Sequence, residues 1–389
     1  MAGSLAPIRS QLAPHGRAIR RRGSWTRPLG ALLAATLLTG CRGVLATEIP
    51  PGPATLSAAA SDPSPSPAST ARASATASST GTPDATAEPP TPFATSDLRP
   101  GIEPADYLAD ACEAMRKRWD PQGSPPGTVV LPIMYHSIRE PDNMLNDNVT
   151  VSTEYFQETV ALARSLGFET ITTAQLAAFL ADNAPIPRRS MMLIVDDRRP
   201  GVVADYLLPV AQSFDWTVTL GWIIGDTGAR LWSTMESLAQ SGRLDVQSHG
   251  LNHRYIVEGM SEADMRQEIG GPVPILKKHF GYRPTAFIWP GGNFTAGSVA
   301  VAREEGYQLG FTAFSRGPIL FNWVPLGEPE RAVNDPLMVL PRAWSPAATV
   351  NLQQAASVGD QAARFAEEQR AGEAAWYLRS CGGALPVAP

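Results

Sequence analysis

Between residues 51 and 100 the chain has almost nothing from which to build a core: ten positions are proline and 29 are alanine, serine or threonine. Such a stretch cannot bury enough apolar area to offset chain entropy, so a packed unit is excluded and an extended, disordered tether is expected. The first 41 residues lack acid altogether, while holding six arginines: Arg9, Arg17, Arg20, Arg21, Arg22 and Arg27. They also lack a long apolar run, since the stretch from Ala31 to Leu38 is too short to span a membrane permanently. A basic segment followed by a short apolar one reads as a secretory signal, which takes no part in the fold.

Basic residues are in short supply elsewhere. The chain has 32 lysines and arginines against 37 acids; without the six leader arginines 26 remain against 37, a net charge of −11. Phosphate backbones are bound by basic faces, so this balance argues against nucleic acid as a partner. Cysteine is rarer still, at three. Cys41 ends Leu38-Thr39-Gly40-Cys41, which resembles the bacterial lipobox. That resemblance implies acylation of Cys41 and a protein lipid-anchored to the cell membrane on its extracytoplasmic side. Cys112 and Cys381 remain, and an even pair in an exported chain is expected to form a disulfide. It would staple a helix expected over Asp106–Trp119 to the end of a helical pattern over Asn351–Arg379.

From Thr128 onward, short apolar runs alternate with amphipathic stretches. Val129–Tyr135, Ser190–Val195, Thr217–Ile224, Leu244–Gln247, Thr285–Trp289 and Gln308–Thr312 read as strands. Thr153–Leu166 reads as a helix, with Phe156, Val160, Ala163 and Leu166 near helical spacing. Pro209 and Gly270–Pro274 are expected to interrupt two further helices. The alternation predicts an α/β domain of parallel strands with helices outside, as a closed barrel or an open sheet. The expected organisation is a signal and lipobox over 1–41, a disordered Pro/Ala/Ser/Thr-rich tether over 42–104, the main domain over 105–350 and a helical extension over 351–389.

Histidine is scarce as well, with five in the chain, and this makes the placement of two of them informative. His249 and His253 lie four apart, just after the apolar end of the Leu244–Gln247 run, while Met191–Val195 runs straight into Asp196-Asp197. Two imidazole nitrogens and a carboxylate oxygen at strand ends suit zinc or a similar divalent ion, with positions left for water and substrate. The other aspartate would then act as a base toward water, which is the equipment of a hydrolase. In barrels of this kind the active site gathers at the C-terminal ends of the strands. His136, Asp196, Asp197, His249 and Pro290-Gly291-Gly292 all fall just after expected strands.

With these motifs in place, residues 129–315 resemble the polysaccharide deacetylase family of metal-dependent carbohydrate esterases, whose fold is a distorted β/α barrel. Ile133-Met134-Tyr135-His136-Ser137-Ile138 resembles the opening strand of members that act on poly-N-acetylglucosamine. Leu193-Ile194-Val195-Asp196-Asp197 resembles Thr-Phe-Asp-Asp-Gly, and Ser248-His249-Gly250-Leu251-Asn252-His253 resembles His-Ser/Thr-x-x-His. Ala286-Phe287-Ile288-Trp289-Pro290-Gly291-Gly292 resembles Phe-x-Tyr-Pro-Tyr-Gly, and Ala302–Thr312 follows at the expected place. The resemblance implies Asp197, His249 and His253 as ligands of a divalent metal, zinc for preference, and Asp196 as catalytic base. It places Trp289, Gly291 and Gly292 against the substrate or its oxyanion, with an N-acetylated polysaccharide as partner.

The chain also departs from the pattern. Arg198 stands at the family's glycine, followed by Arg199, and guanidiniums beside the base would depress its pKa. Gly291 replaces a tyrosine, though its backbone N–H suits an oxyanion. The C-terminal region has no Leu-x-His, where many members keep their general acid, so His136 is the candidate acid; His279, in Lys277-Lys278-His279-Phe280, reads as a surface residue. The expected function is metal-dependent removal of N-acetyl groups from an envelope or extracellular glycan. The alternative is a degenerate relative that binds glycan without turnover.

Overall fold

The computed structural model describes residues 87–386. The signal, Cys41 and residues 42–86 of the expected tether lie outside them. Six parallel strands form the centre, in the spatial order Leu309–Phe311, Ala286–Ile288, Leu244–Ser248, Val218–Trp222, Arg189–Val195, Val129–Tyr135. All seven residues of Val129–Tyr135 are buried. That is why the run is continuously apolar rather than alternating, since a parallel strand is covered on both faces. Alternate side chains serve two cores. Val129, Leu131, Ile133 and Tyr135 pack with Phe156, Val160 and Leu352. Val130, Met192 and Ile194 pack with Phe287, Phe311 and Leu340.

The sheet is curled into a distorted barrel, and one short segment bridges its edges. Leu340 forms a parallel bridge with Phe311 on one outer strand. Three residues on, Ala343 and Trp344 pair in parallel with Ile133 and Met134 on the strand at the opposite side. Arg342 therefore sits in the seam. Ile319–Leu320 adds an antiparallel contact to the start of Val129–Tyr135.

Helices cover the outside. Thr153–Ser165 starts at Ser152, whose side chain accepts from the Tyr155 N–H. The expected break at Gly270–Pro274 separates Glu262–Gly270 from Pro272–Phe280. Pro209 behaves differently: helical structure runs from Pro200 to Phe214, with a π-turn over Val203–Leu207 just before the proline. The wider turn absorbs the missing N–H without a break. Ala348–Ser380 is a 33-residue helix lying against Val129–Tyr135. Its Gly359 permits the close approach, because a Cβ there would lie 2.9 Å from the Gly127 carbonyl and 3.1 Å from Val129 Cγ1.

Two expectations are corrected at the N-terminal side. Composition alone places residues 87–104 in the tether, yet they lie on the domain. Glu103–Ala105 pairs antiparallel with Val324–Leu326, and Phe93 packs its ring 5.7 Å from Phe365. Gln354 donates to the Asp97 carbonyl at 2.6 Å, and Trp376 to that of Ala87 at 3.1 Å. A few anchors suffice where a folded surface already waits. The helix expected over Asp106–Trp119 is confined to Ala111–Arg118, because Asp110 caps it by accepting from the Glu113 N–H. Cys112 on this helix is disulfide-bonded to Cys381 after the long helix, across 269 residues of sequence. Among the described residues no helix is long and apolar enough to cross a membrane.

Candidate active site

The C-terminal ends of four parallel strands converge on one cluster. The ladder carries past the strand ends, with the Asp196 N–H on the Tyr135 carbonyl at 2.9 Å and the His249 N–H on that of Trp222 at 3.0 Å. Asp197, His249 and His253 each turn one ligand atom inward, and these atoms lie within 4.8 Å of one another. His249 Nε2 is 3.7 Å and His253 Nε2 3.6 Å from Asp197 Oδ1. Two of the three are held in left-handed backbone conformations, Asp197 at φ 71° and His253 at φ 59°. Such strain persists only where surrounding structure over-determines it.

The tautomer of His249 follows from its neighbour. Nδ1 lies 2.8 Å from the Ile288 carbonyl, which can only accept, so Nδ1 carries the proton and Nε2 presents its lone pair to the cluster. Burial lowers the His249 pKa, with Asp196 opposing the shift and His253 reinforcing it. Two imidazoles and one carboxylate, one of them fixed in the ligating tautomer, fit a divalent ion with nitrogen and oxygen preference.

Asp196 is set apart from this cluster. Burial alone would raise its pKa, but Arg342, then His249 and His136, reverse the effect and bring it to about 2. Arg342 donates through Nη1 to Asp196 Oδ1 at 2.7 Å and through Nε to the Thr312 carbonyl at 2.7 Å. Oδ2 faces the histidines, with His136 Nε2 at 3.8 Å and His249 Nε2 at 3.9 Å. His136 Nδ1 is buried without a hydrogen-bond partner among the described residues. Gly221 makes room beneath the base: a Cβ there would lie 2.7 Å from Ile288 Cδ1 and 3.4 Å from Asp196 Oδ1.

Several expected roles are redistributed. The guanidinium on the base belongs to Arg342, not to Arg198, whose Nε donates to the Ile223 carbonyl at 3.0 Å. Arg199 instead pairs with Asp197, Nη2 to Oδ2 at 3.4 Å. Trp289, expected against the substrate, is fully buried with its indole N–H on the Met338 carbonyl at 2.7 Å. The Gly292 N–H is committed to the Trp289 carbonyl at 2.8 Å, which leaves Gly291 as the oxyanion candidate of that pair. His279 stacks on Trp232 at 3.8 Å and meets Glu236 at 2.8 Å, so it is half-buried rather than a free surface residue.

Two residues escaped the sequence reading. Arg342 is one; the other is Glu268, buried on the helix Glu262–Gly270. Its carboxylate accepts from the Asn252 N–H at 3.0 Å and the Arg254 N–H at 3.0 Å, the amides flanking His253. A Cβ at Gly250, where φ is 83°, would collide with that carboxylate, so the loop joining the two histidines needs glycine there.

Residues 183–310 match the polysaccharide deacetylase family. Asp196, Asp197, His249, His253 and Gly291 fall inside this stretch, and His136 and Arg342 outside it. No curated protein matches the chain. Among solved structures it is similar to the Streptococcus pyogenes deacetylase PplD in complex with acetate, at 21% identity and a TM-score of 0.49, over 58% of this chain and 97% of that one. It is also similar to IcaB from Ammonifex degensii, at 18% identity and a TM-score of 0.47, over 58% and 97%. A polysaccharide deacetylase from Bacillus cereus is similar at 20% identity and a TM-score of 0.46, over 59% and 69%.

Proposed function

We propose that this chain is a metal-dependent hydrolase that removes N-acetyl groups from an envelope or extracellular glycan. The observation that carries this reading is the division of labour between adjacent aspartates: Asp197 joins His249 and His253, while Asp196 is drawn off by Arg342. Asp197, His249 and His253 would hold a divalent ion, zinc by its preference for this donor set. Such an ion, when bound, polarises a carbonyl and lowers the pKa of water. Asp196, kept as the carboxylate, takes the proton of the water that attacks the acetamide carbonyl carbon. The Gly291 N–H faces the developing oxyanion. His136, close to Oδ2 of Asp196, returns a proton to the amide nitrogen as the carbon–nitrogen bond breaks. Acetate and a free amino sugar leave.

A second reading, glycan binding without turnover, draws on Arg199. Its guanidinium lies 3.4 Å from Asp197 and competes with a cation for that carboxylate. One experiment separates the two. The full chain, incubated with zinc and desalted, is assayed for metal content and for acetate release from N-acetylglucosamine oligomers. Stoichiometric metal with release supports the hydrolase. Metal-free protein that releases nothing, with both properties gained in Arg199→Ala, supports the degenerate reading.

Cys41 places this activity, on our reading, at the membrane surface outside the cytoplasm, through acylation and the tether that follows. Cys41→Ser should move the protein from the membrane to the soluble envelope fraction or medium. Retention of that variant on membranes through a high-salt wash would refute the anchor.

A further inference from the structure

We infer that Tyr255 and Glu258 form a sugar subsite beside the candidate metal centre, gripping a pyranose next to the acetylated one. The inference rests on the glycan reading above and adds which side chains of this chain would hold the neighbouring sugar.

Tyr255 is 56% exposed, unusual for a large ring, yet it is not loose. Its ring meets that of His253 edge-on, centroids 5.7 Å apart at 67°. It also lies over the backbone of Gly291, where an added Cβ would come within 2.9 Å of Tyr255 Cε1 and 3.0 Å of Cζ. The absence of a side chain at Gly291 is what gives the ring its seat. A ring that is exposed but already held loses little conformational freedom when something stacks on it.

The ring lines an open groove of about 810 Å³, together with His253, Arg254, Val257, Glu258 and Met260. A second groove of about 360 Å³ shares Glu258 and continues past Gly292 and Asn293 to Phe314, itself 39% exposed. The path thus starts at a proposed metal ligand and runs outward past the Pro-Gly-Gly turn, with an exposed aromatic residue in each groove. Small ligands favour enclosed pockets that bury most of their surface. A trough in series with the site suits a chain.

Charge narrows the class of that chain. Arg254 and Asp264 neutralise one another at 2.8 Å. Glu258 lines the groove and has no ion pair among the described residues, so its acceptor oxygens are left for hydroxyl donors and its acidic character disfavours an anionic ligand. A pyranose offers an apolar C–H face to the ring and hydroxyl donors to the carboxylate. An aromatic platform with an unpaired acid beside it complements both features.

The test compares an N-acetylglucosamine tetramer with the monomer by titration calorimetry. The protein is the zinc-loaded full chain carrying Asp196→Asn, a background chosen to suppress turnover. The tetramer should bind roughly 10-fold tighter than the monomer, the scale of one good aromatic contact. Adding Tyr255→Ala should erase that advantage, Tyr255→Phe should keep it, and Glu258→Gln should reduce it, with zinc content and monomer affinity unchanged. The subsite is overturned if neither sugar binds, if the tetramer has no advantage, or if Tyr255→Ala retains it. It is also overturned if Tyr255→Ala loses zinc in proportion to sugar, because the ring would then act only on His253. Acetate release is measured separately with Asp196 restored. Tetramer binding that depends on Tyr255, without any release, would leave the subsite standing and remove the deacetylase reading.

Discussion

Arg342 reaches from the barrel seam to Asp196, Nη1 to Oδ1 at 2.7 Å, with both side chains buried. The residues flanking it, Leu340 and Ala343, pair with strands on opposite sides of the sheet. The segment that closes the barrel therefore also sets the charge of the proposed base. Closure and chemistry are linked through one guanidinium.

Arg342→Met tests that link through the pH dependence of stability. In the native chain the Asp196 carboxyl falls from 3.8 to about 2. Its contribution, on the order of 2 kcal/mol, is present above the unfolded value and is lost as pH falls through the folded one. Without the guanidinium the strongest opposing charge is gone and burial pushes the carboxyl back up, leaving a buried carboxylate without its ion pair at neutral pH, which costs about 3–5 kcal/mol. The melting deficit of the variant should be largest near neutrality and shrink below about pH 4. A deficit that stays constant with pH would reduce Arg342 to a packing role.

The two adjacent aspartates should part company on mutation. Asp197→Ala, His249→Ala and His253→Ala should each abolish stoichiometric zinc binding. Asp196→Asn should keep the metal and lose acetate release by roughly 10²–10⁴-fold, the usual worth of a general base. Equal, substantial release in wild type and Asp196→Asn would mean the base lies elsewhere.

Glu268→Gln should act on the metal without touching it. The carboxylate holds the amides of Asn252 and Arg254, so it fixes the turn that keeps His253 at positive φ. An amide can still accept through its oxygen, but its NH₂ faces backbone donors. Zinc affinity should fall about 10–100-fold, the range for outer-sphere changes. Isothermal titration on the full chain would measure it, and unchanged affinity would show that the loop holds its shape unaided.

How much of this could be read from the sequence depended on locality. Asp196, Asp197 and His249 follow buried strands directly, so apolar runs ending in acid or histidine located them. His253 followed from its spacing to His249. Arg342 lies 146 residues from its partner, and nothing in Leu340-Pro341-Arg342-Ala343-Trp344 marks an edge-bridging segment. Glu268 looks like any glutamate on an amphipathic helix until the loop it caps is folded against it. Arg198 misled for the opposite reason: it is next to the base in sequence, but its Nε is drawn to Ile223. Composition judged residues 87–104 by their average, whereas Phe93 and the Glu103–Ala105 pairing act as individual anchors.

The staple at the far ends of the domain should act on stability and leave the site alone. Cys112 and Cys381 enclose 269 residues of sequence separation. A loop of that size corresponds to about 5 kcal/mol of restricted unfolded-state entropy in the chain-entropy model, and native proteins usually show less. The bond joins the short helix Ala111–Arg118 to the end of Ala348–Ser380, beside a small cluster of Met115, Trp119, Trp376 and Tyr377. None of these is a ligand or base of the proposed site. The paired substitution of both cysteines by serine should therefore lower the melting temperature by on the order of 10 °C. Zinc affinity at 25 °C should be untouched. If the double variant melts like wild type, the packing of the Trp119 and Trp376 cluster already holds the ends together. If it loses zinc while still folded, the two ends of the chain govern the barrel mouth more directly than the contacts show.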